Sequence, residues 1–226
     1  MKRLSAAIIV LAVGAMGLAP ATMAFTKPYF TTSKTPFTSK LTSGVIMKDP
    51  AGREVKCTKG TNEQGEVITA GSKKAKKIVM KFTGCENTSG TKCTSTGAGA
   101  GEIITQTLEG ELGYLEPGLA LAKVVAFALK PEVGTLITLY ACLQHDEVKG
   151  CIVTKLSEAN VLTNKFSLVF EEAGGEQKPN SFEPELNNKK SCSPKGKVGN
   201  EAELAEGWEF GDELNITAPL MQKIES

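Results

Sequence analysis

Lys77-Ile78-Val79-Met80-Lys81-Phe82 is the clearest strand in the chain, a run rich in β-branched and aromatic residues that ends at Thr83-Gly84. Runs of the same kind lie on both sides of it: Gly44 to Met47, Arg53 to Thr58, Gly101 to Leu108, Glu111 to Leu115, Thr135 to Leu143, Val148 to Leu156, Lys165 to Glu171 and Leu214 to Thr217. Turn signals separate them, the plainest being Asp49-Pro50-Ala51-Gly52. The stretch 119–129 is ambiguous, since Pro117 suits a helix start, but Val124, Val125 and Phe127 ahead of Lys130-Pro131 favour a strand. Short runs with so little helical period predict an all-β domain, an antiparallel sandwich or barrel. The 23 glycines and the 6% aromatic content agree with a turn-rich sheet protein.

Upstream of these runs, Lys2 and Arg3 precede an apolar stretch from Ala6 to Leu18, and small residues at Ala19-Pro20-Ala21 or Thr22-Met23-Ala24 offer a cleavage site. Residues 1–24 read as an export signal, so a secreted, extracellular protein is expected. The apolar stretch is shorter than the roughly 20 residues that span a bilayer, and Ala218 to Ser226 carries no apolar tail, so no transmembrane anchor is expected after signal removal. Residues 25–40, with Pro28 and Pro36 among Thr, Ser and Lys, read as a flexible leader or a loosely held first strand, leaving 41–226 as one β domain. Loss of Lys2 and Arg3 takes Lys+Arg from 26 to 24 against 25 Asp+Glu, moving the formal charge from +1 to −1. A near-neutral chain has no electrostatic pull toward nucleic acid or an anionic membrane.

An exported chain meets oxidising conditions, so the six cysteines, Cys57, Cys85, Cys93, Cys142, Cys151 and Cys192, are expected in disulfides. They permit 15 pairings. Proximity favours Cys85–Cys93 around a polar loop with no other evident means of holding itself. Cys142–Cys151 could bridge a hairpin turning at His145-Asp146-Glu147, and a competing scheme ties Cys57 to Cys142 and Cys151 to Cys192.

Lys81-Phe82-Thr83-Gly84-Cys85, Cys93-Thr94-Ser95, Gly101-Glu102-Ile103-Ile104-Thr105 and Leu108 to Tyr114 together resemble a block in secreted proteins of unassigned function from high-GC Gram-positive soil bacteria. The likeness covers roughly Cys57 to Cys142. It implies an exported bacterial β protein with four cysteines matching Cys57, Cys85, Cys93 and Cys142. Cys151 and Cys192 are then additional, which favours joining these two and joining Cys57 to Cys142. No activity, ligand or catalytic residue comes with the resemblance.

Residues that could carry chemistry are better explained structurally. His145 is the only histidine and lies in a polar turn; a Cys142-His145 dyad would need a free thiol, and the even cysteine count leaves none over. Ser89-Gly90-Thr91-Lys92 has the Ser-x-x-Lys spacing of serine acyl-transferases without their companion motifs, and Gly97 to Gly101 lacks phosphate-loop spacing. The acid pairs Asp146/Glu147, Glu171/Glu172 and Asp212/Glu213 would put their members on opposite strand faces, away from joint acid-base work. Glu201, Glu203 and Glu206 read as a solvated acidic edge, Lys73 to Lys77 as strand-edge lysines that discourage association, and Trp208 as a core residue beside Phe210. No catalytic, cofactor-binding or metal-binding set emerges. The expectation is a secreted, non-catalytic binding or surface-interaction module with an extracellular or cell-surface partner. The alternatives are a secreted carboxylate-dependent hydrolase, which needs a pocket holding two acids that titrate apart, and a disulfide-rich inhibitor.

Overall fold

Eight antiparallel strands follow one another around a barrel in the order in which they occur in the chain. They are β1 (Thr35–Leu41), β2 (Lys59–Val67), β3 (Lys74–Ile78), β4 (Leu108–Tyr114), β5 (Val125–Pro131), β6 (Ile152–Leu156), β7 (Lys165–Ala173) and β8 (Gly207–Ile216). Each pairs with the next. The sheet closes where β8 returns to β1, in register from Phe37↔Ile216 to Leu41↔Asp212. This computed structural model describes residues 28–30, 35–67, 71–115, 124–159, 163, 165–185, 188–216 and 224–225, and no helix occurs among them.

Period-two alternation decides which way each strand faces. In β7, Phe166, Leu168 and Phe170 are buried while Lys165 and Val169 are exposed; in β5, Val125, Phe127 and Leu129 point inward and Ala126 and Ala128 outward. An eight-stranded barrel has a bore that side chains can fill, and here Phe37, Leu112, Phe127, Phe170 and Phe210 fill it. Phe170 stacks on Phe210 with ring centroids 4.3 Å apart. Gly110 is required in β4, because a Cβ there would run into the Phe127 ring. The outer faces carry exposed Lys40, Lys155, Lys165 and Glu171, the reverse of the apolar belt of a bilayer-spanning barrel.

An up-and-down barrel sends alternate connections to opposite ends. The four long ones, 42–58, 79–107, 132–151 and 174–206, therefore all emerge at the same rim. Leu136–Ala141 and His145–Lys149 form a hairpin there, extended by Lys195–Val198 and Leu204–Ala205 on one side and Thr94–Ser95 on the other. Val45–Lys48 and Glu54–Cys57 form a second hairpin between Glu86–Asn87 and the start of β8. The segment around Phe182 lies on the outside of the barrel over Ala126, Ala128 and Val153, with Tyr114 and Glu183 exchanging backbone hydrogen bonds of 2.9 and 2.8 Å.

The disulfides are Cys57–Cys85, Cys93–Cys142 and Cys151–Cys192. The expected Cys85–Cys93 and Cys142–Cys151 bridges and the Cys57–Cys142 pairing are not formed, and strand pairing explains why. Glu54–Cys57 lies against Glu86–Asn87, which sets the Cys57 and Cys85 Cα atoms 3.9 Å apart; Thr94–Ser95 lies against Tyr140 and Ala141, which sets Cys93 and Cys142 4.0 Å apart. The 86–92 loop also holds itself without a bridge. Asn87 Oδ1 accepts from the Ser89 and Thr91 amides at 3.0 and 2.9 Å, and Asn87 N donates to Thr91 O at 3.0 Å. Cys142 sits at the tip of its hairpin and Cys151 beyond its base, because the turn is at 142–144 rather than at His145-Asp146-Glu147.

Other boundaries also move. Thr35–Leu41 is a barrel strand rather than a leader, burying Phe37, Ser39 and Leu41, and Pro36 is tolerated at its beginning. Residues 25–27 and 31–34 lie outside the described residues, as do the signal at 1–24 and 119–123 of the ambiguous stretch, whose remainder from Val125 is strand. The run Lys77 to Phe82 is two strands: Lys77 takes φ 59°, and Met80–Thr83 leaves the barrel to pair with the start of β2. Gly150, at φ 102°, likewise divides Val148 to Leu156. The lysine run does not guard an edge, since closure leaves β3 between two neighbours. Lys73 reaches Glu111 at 2.9 Å and Lys74 reaches Glu109 at 3.1 Å, while Lys130 bridges both acids.

Inside the barrel, Asp212 and Ser39 are 4% and 5% exposed, and neither Asp212 Oδ1 nor Ser39 Oγ has a partner of ordinary hydrogen-bond geometry. Burial pushes the Asp212 pKa up from 3.8 to about 6, against a smaller opposing pull from Ser39 and the Glu213 backbone. A carboxyl whose folded pKa is raised stabilises the fold most when protonated, and that contribution is lost as pH rises from about 4 through about 6. Asp212→Asn should therefore raise stability at pH 7 by up to about 3 kcal/mol and leave it little changed at pH 4, as read by urea unfolding at both pH values. Replacing Cys151 and Cys192 together by Ser should cost about 2–4 kcal/mol in the same assay while near-ultraviolet dichroism still reports a packed barrel.

Candidate functional site

The four long connections converge on a cavity of about 300 Å³ at the barrel mouth. The first contributes Asp49 and Arg53, the second Asn87 and Thr88, the third Tyr140 and Asp146, and the fourth Glu201 and Glu206. The Asp49-Pro50-Ala51-Gly52 turn builds the first wall. Gly52, at φ 85°, donates to Asp49 O at 3.0 Å, and the fold of the turn brings Arg53 N to Asp49 Oδ1 at 3.0 Å and Arg53 Nε to Asp49 Oδ2 at 2.5 Å. Arg53 Nη1 then crosses to Glu201 Oε2 at 2.5 Å, joining the first connection to the fourth. Burial alone would lower the Arg53 pKa, but these two carboxylates more than offset it and hold the guanidinium charged.

Glu206 stands where the fourth connection enters β8. It is 5% exposed; its backbone N donates to Pro194 O at 3.0 Å, and its Oε1 accepts the indole N–H of Trp208 at 2.6 Å. Its Oε2 occupies the space a side chain at Gly196 would need. Trp208 is fully buried and meets Phe82 edge-on at 5.9 Å, so the barrel core holds the indole that holds Glu206. Burial lifts the Glu206 pKa to about 8; the indole bond and Arg53 oppose this, whereas Asp146 and Asp49 add to it.

Tyr140 and Asp146 are paired residues of the third connection's hairpin. Burial raises the Asp146 pKa to about 6, with Arg53 opposing and Asp49 and Glu201 adding to the rise, and its Oδ1 is buried without a hydrogen-bond partner. Tyr140 is 6% exposed, and burial together with the charges of Glu206, Asp146 and Asp49 drives its pKa well up. Its hydroxyl makes no hydrogen bond to any described residue.

The sequence's candidate residues divide cleanly by face. Asp146 enters the cavity while Glu147 pairs outside with Lys149 at 2.6 Å; Asp212 enters the barrel while Glu213 pairs outside with Lys165 at 3.2 Å. Glu171 is exposed on the outer wall. His145 is exposed, Ser89 to Lys92 form the 86–92 loop, and Gly97 and Gly101 serve turns at φ 81° and 77°. Glu206 is the correction: the acidic edge expected at Glu201, Glu203 and Glu206 is solvated only at its first two members. Asp49, Arg53 and Tyr140 are site residues that the sequence does not single out; only the turn around Asp49 is a signal. No group of three metal-ligating side chains suited to an ion occurs among the described residues. No protein-family model, curated protein or solved structure matches the chain.

Trp208 is the chain's single tryptophan and bonds directly to Glu206, so its fluorescence reports that carboxyl. Emission should shift with pH around a midpoint near 8, and Glu206→Gln, which keeps an acceptor for the indole, should abolish the transition.

Proposed function

We propose that the protein is an exported, non-catalytic binding module that receives a small polar ligand at the mouth of its barrel. The observation that carries this reading is the cavity itself, about 300 Å³ in volume, built by all four long connections, holding the buried and partnerless Asp146 Oδ1 and lined by Tyr140. A buried polar atom without a partner is costly, and a ligand that donates to Asp146 Oδ1 while accepting from the Tyr140 hydroxyl relieves that cost. Three disulfides suit an oxidising, non-cytoplasmic setting, and the apolar stretch at Ala6 to Leu18 supports release to the outside. Bridges that tie each long connection to the next suit a preformed site.

A carboxylate-dependent hydrolase is the second reading, and the separation of Asp146 at about 6 from Glu206 at about 8 favours it. At neutral pH the first is mostly ionised and the second mostly protonated, the division of roles that acid-base catalysis uses. Against it, Glu206 is 5% exposed and already engaged by Trp208.

Native mass spectrometry separates the two. The oxidised protein, incubated with small molecules extracted from culture medium, should retain a species that is released chemically unchanged. Tyr140→Phe and Asp146→Asn should each lower that retention by about tenfold, the effect of one lost hydrogen bond of ~1.4 kcal/mol. Release of a cleaved product would favour the hydrolase, and retention indifferent to both substitutions would place the ligand elsewhere and overturn the binding proposal.

A further inference from the structure

Among the described residues two cations bond the cavity's carboxylates, and both are spent: Arg53 on Asp49 and Glu201, and Lys56 on Glu54. No lysine or arginine forms an ion pair with Asp146 or Glu206 among the described residues, although both line the same wall. Asn87 and Thr88, from the second connection, bring no charge. Tyr140 supplies an independent sign of a ligand: it is 94% buried, it lines the cavity, it feels the charges of Glu206, Asp146 and Asp49, and its hydroxyl has no hydrogen-bond partner among the described residues. Leu143, 77% exposed beside the cavity, offers an apolar surface to the body of such a ligand.

The geometry points to a monocationic ligand, an organic ammonium or guanidinium group whose charge is taken by Asp146 and Glu206. This rests on the binding reading above and names its ligand class. The charged or titratable groups that line the cavity with Glu206 are Lys48, Asp49, Arg53 and Glu54 from the first connection, Tyr140 and Asp146 from the third, and Lys197 and Glu201 from the fourth, and of these Asp146, Asp49 and Arg53 act on Glu206 directly. Of these, Asp49, Arg53 and Glu201 neutralise one another in part, Glu54 is paired with Lys56, Lys48 and Lys197 carry no proton that a cation would displace at neutral pH, and Tyr140 stays neutral, which leaves Glu206 as the group whose proton an incoming cation displaces. With Glu206 titrating near 8, the proton is present at neutral pH and available to leave. A neutral ligand of equal size would leave it in place.

Methylguanidinium and methylurea share shape and differ in charge, so the two probes decide the matter on the wild-type, disulfide-bonded protein, with Trp208 emission as the readout. Methylguanidinium at millimolar concentration should shift the emission saturably, with an affinity that rises severalfold per pH unit from about 6 to about 8 and then levels off. Calorimetry in buffers of different ionisation enthalpy should find close to one proton released per ligand at pH 7. Methylurea should bind at least about tenfold more weakly and without pH dependence. Glu206→Gln should remove the pH dependence and the proton release, and Asp146→Asn should weaken methylguanidinium alone. Saturation by methylurea or by glucose in place of methylguanidinium would overturn the cationic ligand while keeping the cavity as a binding site. Methylguanidinium binding that is independent of pH, or that survives both substitutions unchanged, would also overturn it.

Discussion

The pairing of β1 with β8 is the constraint on which the remaining architecture depends. Until Phe37 to Leu41 lies along Asp212 to Ile216, the sheet has two open edges and its apolar face has nothing to close upon. Closure brings Phe37 and Leu41 into the same interior as Phe170 and Phe210, and it gives every described barrel strand two neighbours. It also fixes polarity: odd-numbered strands run toward the elaborated rim and even-numbered strands run away from it, so each long connection must emerge where the others do. The cavity is thus a consequence of topology before it is a consequence of any side chain.

The three disulfides follow the same geometry. Cys57–Cys85 joins the first connection to the second, Cys93–Cys142 the second to the third, and Cys151–Cys192 the third to the fourth. Arg53, reaching from Asp49 to Glu201, links the first to the fourth by charge. The rim is consequently tied around its whole circumference, and Glu206 can be held buried beside Asp146 because the walls that bury it do not move apart. The raised pKa values belong to that enclosure. Opened to water, the same carboxyls would titrate in their usual range.

Local pattern made the strands legible. Alternation in Lys165 to Glu171, the turn at Asp49 to Gly52 and the burial of Trp208 all follow from residues close together in sequence. What stayed hidden depends on register between distant strands. Thr35 to Leu41 looks like a polar leader because its inward residues alternate with Thr, Ser and Lys, and only β8, some 170 residues further on, turns that alternation into a barrel strand. Glu206 looks solvated among its acidic neighbours; its burial comes from Pro194, Gly196 and Trp208 in a different arrangement of the chain. Proximity in sequence misled the cysteine assignment for the same reason, since cross-strand neighbours were closer than loop neighbours.

The bridges tie successive rim connections to one another, and the tips of three turns beside them contain no bridged residue. Ala51-Gly52, Ser89-Gly90 and Leu143-Gln144 are exposed, and the barrel core takes nothing from them. Sequence drift or deliberate grafting at those three tips would reshape the approach to the cavity while the folding problem stayed the same. The mouth of the molecule can thus be re-lined by editing a few surface residues rather than by rebuilding the cylinder beneath them.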